Sequence, residues 1–446
     1  MVVSSFAIGL LAKAVFYLGF VDAILVVLFF NLIGILPVCY FSTFGPRFGL
    51  RQMVLSRFWF GWWGVKLIAC FNVLACVGWS SVNSIVGAQL INAVNNDVNG
   101  AVGIVIIAIC TLFVTLFGYK VVHTYEFWSW LPTTIIFFIV LGTFAHTGDF
   151  QNIPMGVGTS EMGSVFSFGA VVYGYATGWT SYAADYTVYQ PSSQSRMRVF
   201  WATWAGLIVP LLFTEMLGVA IMSATSINGG DNIYQTGYNQ SGTGGILGAV
   251  LFPHLGNFGK FCLVVLALSI IANNCPNLYS VSLTMQVLGR WTQRVPRFVW
   301  TFIATCVYIA IAIPGYSHFE LVLQDFMNFI GYWLGTLKLL ASDTRTMLTS
   351  ACSHLRGNRP DRSLRVQARH ARLQPGVLRP PQEPAARHRS RRRVLLWYRR
   401  HGDGHEPAMV GRSHRAEGRR GSVRRRCRLR AWFRVCCVLI FRPEEH

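Results

Sequence analysis

The sequence predicts an all-α polytopic membrane protein, and three observations carry that reading. Apolar runs of about 20 residues recur from the start of the chain to about residue 335, each the length a helix needs to cross a hydrocarbon core. Within each run the apolarity is continuous rather than alternating at period two, which selects helices over barrel strands. The segments between runs alternate in charge, as loops on opposite sides of a membrane do.

The runs fall at 1–16, 17–42, 59–93, 99–119, 125–146, 163–184, 199–224, 257–287, 298–314 and 319–334. Trp and Tyr cluster near their ends, as in Phe58-Trp59-Phe60-Gly61-Trp62-Trp63 and Phe127-Trp128-Ser129-Trp130, which reads as an interfacial belt. The first run opens at once on Val2-Val3-Ser4-Ser5-Phe6, like the second half of a helix that begins upstream, so about ten spans are expected, the first and last partial. No basic segment precedes a cleavage site, so no signal peptide is expected.

Arg47, Arg51 and Arg57 follow the second run, Lys120 the fourth, Arg196 and Arg198 the sixth, and Arg290, Arg294 and Arg297 the eighth. The intervening loops carry Asp97, Asp149, Glu161 and Asp231, with Lys13 and Lys260 as their bases. The positive-inside rule puts the first set in the cytoplasm. Asn239-Gln240-Ser241 then lies outside, as a possible glycan acceptor.

The overall charge of +21 averages two unlike pieces. Residues 1–340 carry 13 Lys+Arg against 10 acids, whereas residues 341–446 carry 26 Arg, no Lys and 8 acids. Two units are therefore expected: a transmembrane core over 1–335 and an Arg-rich tail over 336–446. Seven of the 11 cysteines lie in or beside apolar runs and behave as small hydrophobes, and no metal-ligand spacing occurs. No phosphate-binding GxxxxGK[ST], zinc-binding HExxH or nucleophilic GxSxG is present, so an enzyme is not expected.

Polar residues and helix breakers inside spans are costly, so they mark candidate sites. Trp79 and Asn83 share one face of span three and offer an aromatic plane beside an amide. Gly178-Trp179 in span six suggests a helix break with a second indole. In span eight, Asn273-Asn274-Cys275-Pro276-Asn277 puts three amides around a proline. Each group also fits a bland reading, as packing indoles or an interhelical hydrogen-bond network. Glu215 in span seven and Asp325 in span ten are candidates for proton coupling, while Asp185 and Glu126 fall near span ends and read as solvated or structural.

Together these strings resemble the nucleobase–cation symporter family, in its fungal purine-cytosine permease branch. Further matches are Phe44-Gly45-Pro46-Arg47-Phe48-Gly49-Leu50-Arg51-Gln52, Ser181-Tyr182-Ala183-Ala184-Asp185-Tyr186 and Ile313-Pro314-Gly315-Tyr316. The resemblance runs from Met1 to about Leu334. It implies the leucine-transporter fold, with spans 1–5 and 6–10 as inverted repeats and the site at mid-membrane. It further implies that Trp79 and Trp179 flank a base, that Asn273, Asn274 and Asn277 bond its edge, and that Ser5, with Ser4 beside it, contributes from span one; Asn83, Gly178 and Pro276 complete the expected substrate site.

The resemblance lapses at the tail, where the family would finish span ten and add two more spans. Stretches such as Arg389-Ser390-Arg391-Arg392-Arg393, with Arg used to the exclusion of Lys, are what GC-rich codons give in a shifted frame. Val438-Leu439-Ile440-Phe441-Arg442-Pro443 matches the family's end again. The expectation is a gene-model error or frameshift near residue 335. Taken literally, the tail would be a disordered segment for nucleic acid or anionic lipid, but no aromatic-interleaved motif favours nucleic acid.

The expected function is uptake of purine bases and cytosine across the plasma membrane, without a cofactor and with protons as the coupling ion. The alternatives are a carrier of another flat heterocycle (allantoin, uracil or a hydantoin) and a truncated permease that transports nothing. Oligomeric state is not readable.

Overall fold

The computed structural model describes residues 2–117 and 119–343, and among them every regular element is a helix. The tail beyond residue 343, with the frameshift and nucleic-acid readings attached to it, lies outside the described residues.

Each of the ten apolar runs is helical. α1 (Val3–Ala14) is buried along almost its whole length. α2 (Phe20–Gly34), α3 (Leu36–Ser42) and α4 (Phe44–Phe48) follow as one bent unit. α5 (Gln52–Val94) breaks at Gly61, where φ is 68°. α6 is Gly100–Leu116 and α7 is Tyr119–Thr147. α8 (Thr159–Thr177) runs into a 3-10 turn at Gly178–Tyr182 and then α9 (Ala183–Thr187). α10 is Arg196–Ser223, α11 is Ile233–Leu288 and α12 is Arg290–Arg294. α13 (Arg297–Gly315) and α14 (Phe319–Asp343) complete the described chain. Among the described residues, six helical stretches are long and apolar enough to cross a membrane outright, and α1 and α6 are shorter apolar helices. The chain is an integral, multi-pass membrane protein.

α11 differs from expectation. Residues 233–255, expected as a loop, are helical, and the element is divided by breaks at Gly242 (φ 52°) and Gly256 (φ 50°). Gly256 adopts the left-handed backbone that glycine alone takes without strain, and the membrane-spanning piece begins just after it, at the predicted boundary. Asn239 and Gln240 of the Asn239-Gln240-Ser241 acceptor therefore lie on helix, and Ser241 sits at the break. Asn239 accepts a hydrogen bond from Gln235 (2.9 Å), and Ser241 is buried and donates to Asn92 (2.5 Å).

The packing partners are reciprocal. The first span, α1, packs on the seventh, α10; the second, α2, packs on the sixth, α8. The third, α5, packs most extensively on the eighth, α11, and the fourth, α6, also meets the ninth, α13. Two inverted five-span repeats produce this exchange of partners. Glycines let the backbones meet: a Cβ on Gly9 would lie 2.1 Å from the Glu215 carbonyl oxygen, and one on Gly218 would lie 2.4 Å from that of Phe6.

Arg51 and Arg57 both reach α11 toward its C-terminal end. Arg51 donates to Tyr189 (3.0 Å) and Tyr279 (3.3 Å), and the Gln52 backbone N–H donates to Asp185 (2.7 Å). These contacts tie the start of α5 to α9, to the segment after it and to α11. At the opposite end Lys13 reaches Thr225 (2.7 Å) and Ser226 at the close of α10. The positive-inside rule puts the Arg51 end in the cytoplasm.

Candidate functional site

A cavity of about 320 Å³ lies amid the helices, walled by residues of α1, α5, α7, α8, the turn after α8, α10 and α11. Ser5, Trp79, Asn83, Trp179, Asn273, Pro276 and Asn277 all line it, drawn together from four of the predicted spans.

Trp79 is fixed on two sides. Tyr175 meets its ring edge-on at 5.2 Å and Phe326 at 5.3 Å, while its indole N–H has no partner. Gly178 does not line the cavity; it makes room for this indole, because a Cβ there would lie 2.8 Å from Trp79 Cζ2. Trp179 packs with Tyr182 and Tyr186 at centroid distances of 5.3 and 5.7 Å.

The amides divide their work. Asn274 is fully buried and does not line the cavity. It accepts from Asn83 Nδ2 (3.0 Å) and donates to Ser84 Oγ (3.1 Å), so it ties α11 to α5 and orients its neighbour. Asn83 is left with its carbonyl oxygen unpaired. Asn277 is held only by long contacts, donating to the Asn273 carbonyl at 3.4 Å and accepting from Tyr182 at 3.5 Å. The cavity thus meets the loosely held carboxamides of Asn273 and Asn277, while the unpaired Asn83 carbonyl oxygen and Trp79 indole N–H are buried in its wall. Pro276 withholds an N–H from the Ala272 carbonyl one turn back, and Pro210 in α10 does the same for Gly206; both these residues line the cavity. Ser5 Oγ donates to the Val2 carbonyl (2.7 Å) and lies 2.7 Å from Thr214 Oγ1. Ser4 sits 3.4 Å from the Tyr175 hydroxyl, behind the wall.

The two coupling candidates are elsewhere. Glu215 is fully buried between α10 and α2 and accepts from Asn31 Nδ2 at 2.6 Å. Asp325 is exposed on α14. Neither lines the cavity. The carboxylate that does is Glu126 of α7, accompanied by Phe127, Ser129, Trp130, Thr133 and Thr134. By apolarity alone Glu126 falls at a span end and the aromatics around it in an interfacial belt. The helix begins at Tyr119, not near 125, so Glu126 lies two turns inside it, and of the two indoles Trp128 alone faces outward. A charged residue followed by polar side chains at 129, 133 and 134 was the available signal: these positions recur at helical spacing and mark an inward polar face.

A helical membrane protein with crossed five-span repeats and a mid-helix cavity is a carrier fold. The structure of Mhp1, a nucleobase-cation-symport-1 family transporter in a closed conformation with bromovinylhydantoin bound, superposes with a TM-score of 0.53 over 77% of this chain and 75% of that one, at 14% identity. That likeness concerns the fold, which is the leucine-transporter arrangement of inverted repeats.

The family model for permeases of cytosine/purines, uracil, thiamine and allantoin matches residues 1–350, and the chain belongs to this nucleobase–cation symporter family, in its fungal purine-cytosine branch. Purine-cytosine permease fcyB of Emericella nidulans is 69% identical over 341 residues, 76% of this chain and 66% of that protein. Purine-cytosine permease FCY2 of Saccharomyces cerevisiae is 43% identical over 340 residues, 75% of this chain and 63% of that protein. The chain therefore spans just under two thirds of the length of these relatives.

Proposed function

We propose that the protein is a secondary transporter importing purine bases and cytosine with protons, by alternating access, across the plasma membrane. The observation that carries this reading is the cavity that Trp79 and Trp179 share with Asn83, Asn273 and Asn277. A planar heteroaromatic ring is recognised by stacking on its faces and hydrogen bonding at its rim, and these side chains supply both. A volume of about 320 Å³ suits a small ligand, at the lower end of the roughly 300–1,000 Å³ usual for such sites. The purine-cytosine permeases among its relatives support the same substrate class.

Uptake of labelled cytosine and adenine into a permease-deficient cell expressing the chain tests the reading. Saturable uptake of either, competed by unlabelled purines, is expected. Saturable uptake of uracil, allantoin or a hydantoin with no response to cytosine or adenine would replace the substrate and keep the fold.

A further inference from the structure

Among the described residues, Glu126 is a carboxylate without a partner in a cavity that has no cation. It lines the main cavity and also a narrow pocket extending toward Asp185 and Tyr279. No described residue donates a hydrogen bond or an ion pair to its carboxylate, and no Lys, Arg or His is among the residues lining either space. The titratable groups facing it are Tyr175 from α8, Tyr182 from the turn after it, Asp185 and Tyr186 from α9, and Cys275 and Tyr279 from α11. None is a base. Asp185 is engaged elsewhere, accepting from the Gln52 backbone. An ionised carboxylate in such surroundings is costly until a proton or a donor from a bound molecule reaches it.

We propose that Glu126, in its neutral form, reads the edge of the transported base, so that base and proton are carried together. This rests on the reading of the cavity as a nucleobase site. A neutral carboxyl group presents one O–H donor and one carbonyl acceptor in a plane. Cytosine and adenine each present a ring nitrogen acceptor beside an exocyclic amino donor, and the two edges complement each other through a pair of hydrogen bonds. An ionised carboxylate has acceptors only. It would meet the ring nitrogen lone pair with repulsion, so the proton must be in place before the base binds well. This assigns coupling to the substrate cavity itself rather than to Glu215 or Asp325.

Equilibrium binding of labelled cytosine to the purified full chain, from about pH 5 to about pH 8, tests the proposal. Affinity is expected to fall with rising pH, approaching about tenfold per unit on the alkaline limb as one proton is lost. In Glu126→Gln the amide keeps a donor and an acceptor in place of the neutral carboxyl, so binding should lose its pH slope. Asp185→Asn should keep the slope. A Glu126→Gln protein with the slope of the unaltered chain overturns the proposal, as does binding by the unaltered chain with no slope at all. Should Glu126→Gln not be recovered folded, Glu126→Asp must move the midpoint, and an unmoved midpoint counts against Glu126. Absence of cytosine binding at every pH instead overturns the nucleobase reading, and the assignment to Glu126 with it.

Discussion

At the scale of single residues, the cavity is built by locking some side chains so that others stay free. Asn274 spends its amide on Asn83 and Ser84, and Asn83 is left with one unpaired carbonyl oxygen. Trp79→Ala removes a stacking surface worth about 1–3 kcal/mol per base. Cytosine affinity should fall by about tenfold or more while the protein still reaches the membrane, as a fluorescent fusion would show. Gly178→Ala should weaken binding without touching the ligand, since its methyl would push into the Trp79 indole. Asn274→Ala acts differently. It leaves Asn83 Nδ2 buried without its acceptor, a cost of about 1–3 kcal/mol. A thermal-shift assay should therefore register a loss of stability as well as a loss of binding.

The residues that stand out in the sequence are those whose chemistry is out of place in lipid: tryptophan beside asparagine, glycine before tryptophan, asparagine around proline. Spacing alone does not separate Asn273 and Asn277, which line the cavity, from Asn274, which locks two helices. All three are amides within five residues, and rotation about the helix axis decides their roles. Glu126 reads as solvated or structural in the sequence for a different reason. Its helix starts about six residues earlier than the apolar run, because Tyr119 to Thr124 are too polar to count as membrane yet continue the helix.

At the scale of elements, contact between α1 and α10 depends on backbone meeting backbone at Gly9 and Gly218. Gly9→Leu should force these helices apart. Overpacking of this kind costs about 1–3 kcal/mol, so the melting temperature in detergent should drop by several degrees. Substituting Leu at Gly142, where a Cβ would have no atom within 4 Å, should leave it nearly unchanged. The existence of the ten helices was legible because continuous apolarity at membrane length suits little besides a spanning helix. The helices within 233–255 were not, because their sequence is rich in glycine and polar residues. Their stability comes from packing on α5, where Thr243 donates its backbone N–H to Gln89 (3.2 Å) and Gly244 meets the Gln89 backbone, rather than from propensity.

At the scale of the whole molecule, the exchange of partners between the two halves surrounds one cavity with elements of both repeats. α1, α5 and α7 supply Ser5, Trp79 and Glu126, while α8, α10 and α11 supply Tyr175, Pro210 and Asn277. A site shared in this way would change shape if one half rocked against the other, as the proposed alternating access requires. The most direct test is titration of the purified chain with labelled cytosine and adenine, alone and after Trp79→Ala with Asn277→Ala. Saturable binding of at least one base to the unaltered protein, abolished in the double variant while its folded, monodisperse profile persists, is the result expected. Undiminished binding in that variant would place the site elsewhere and contradict the account.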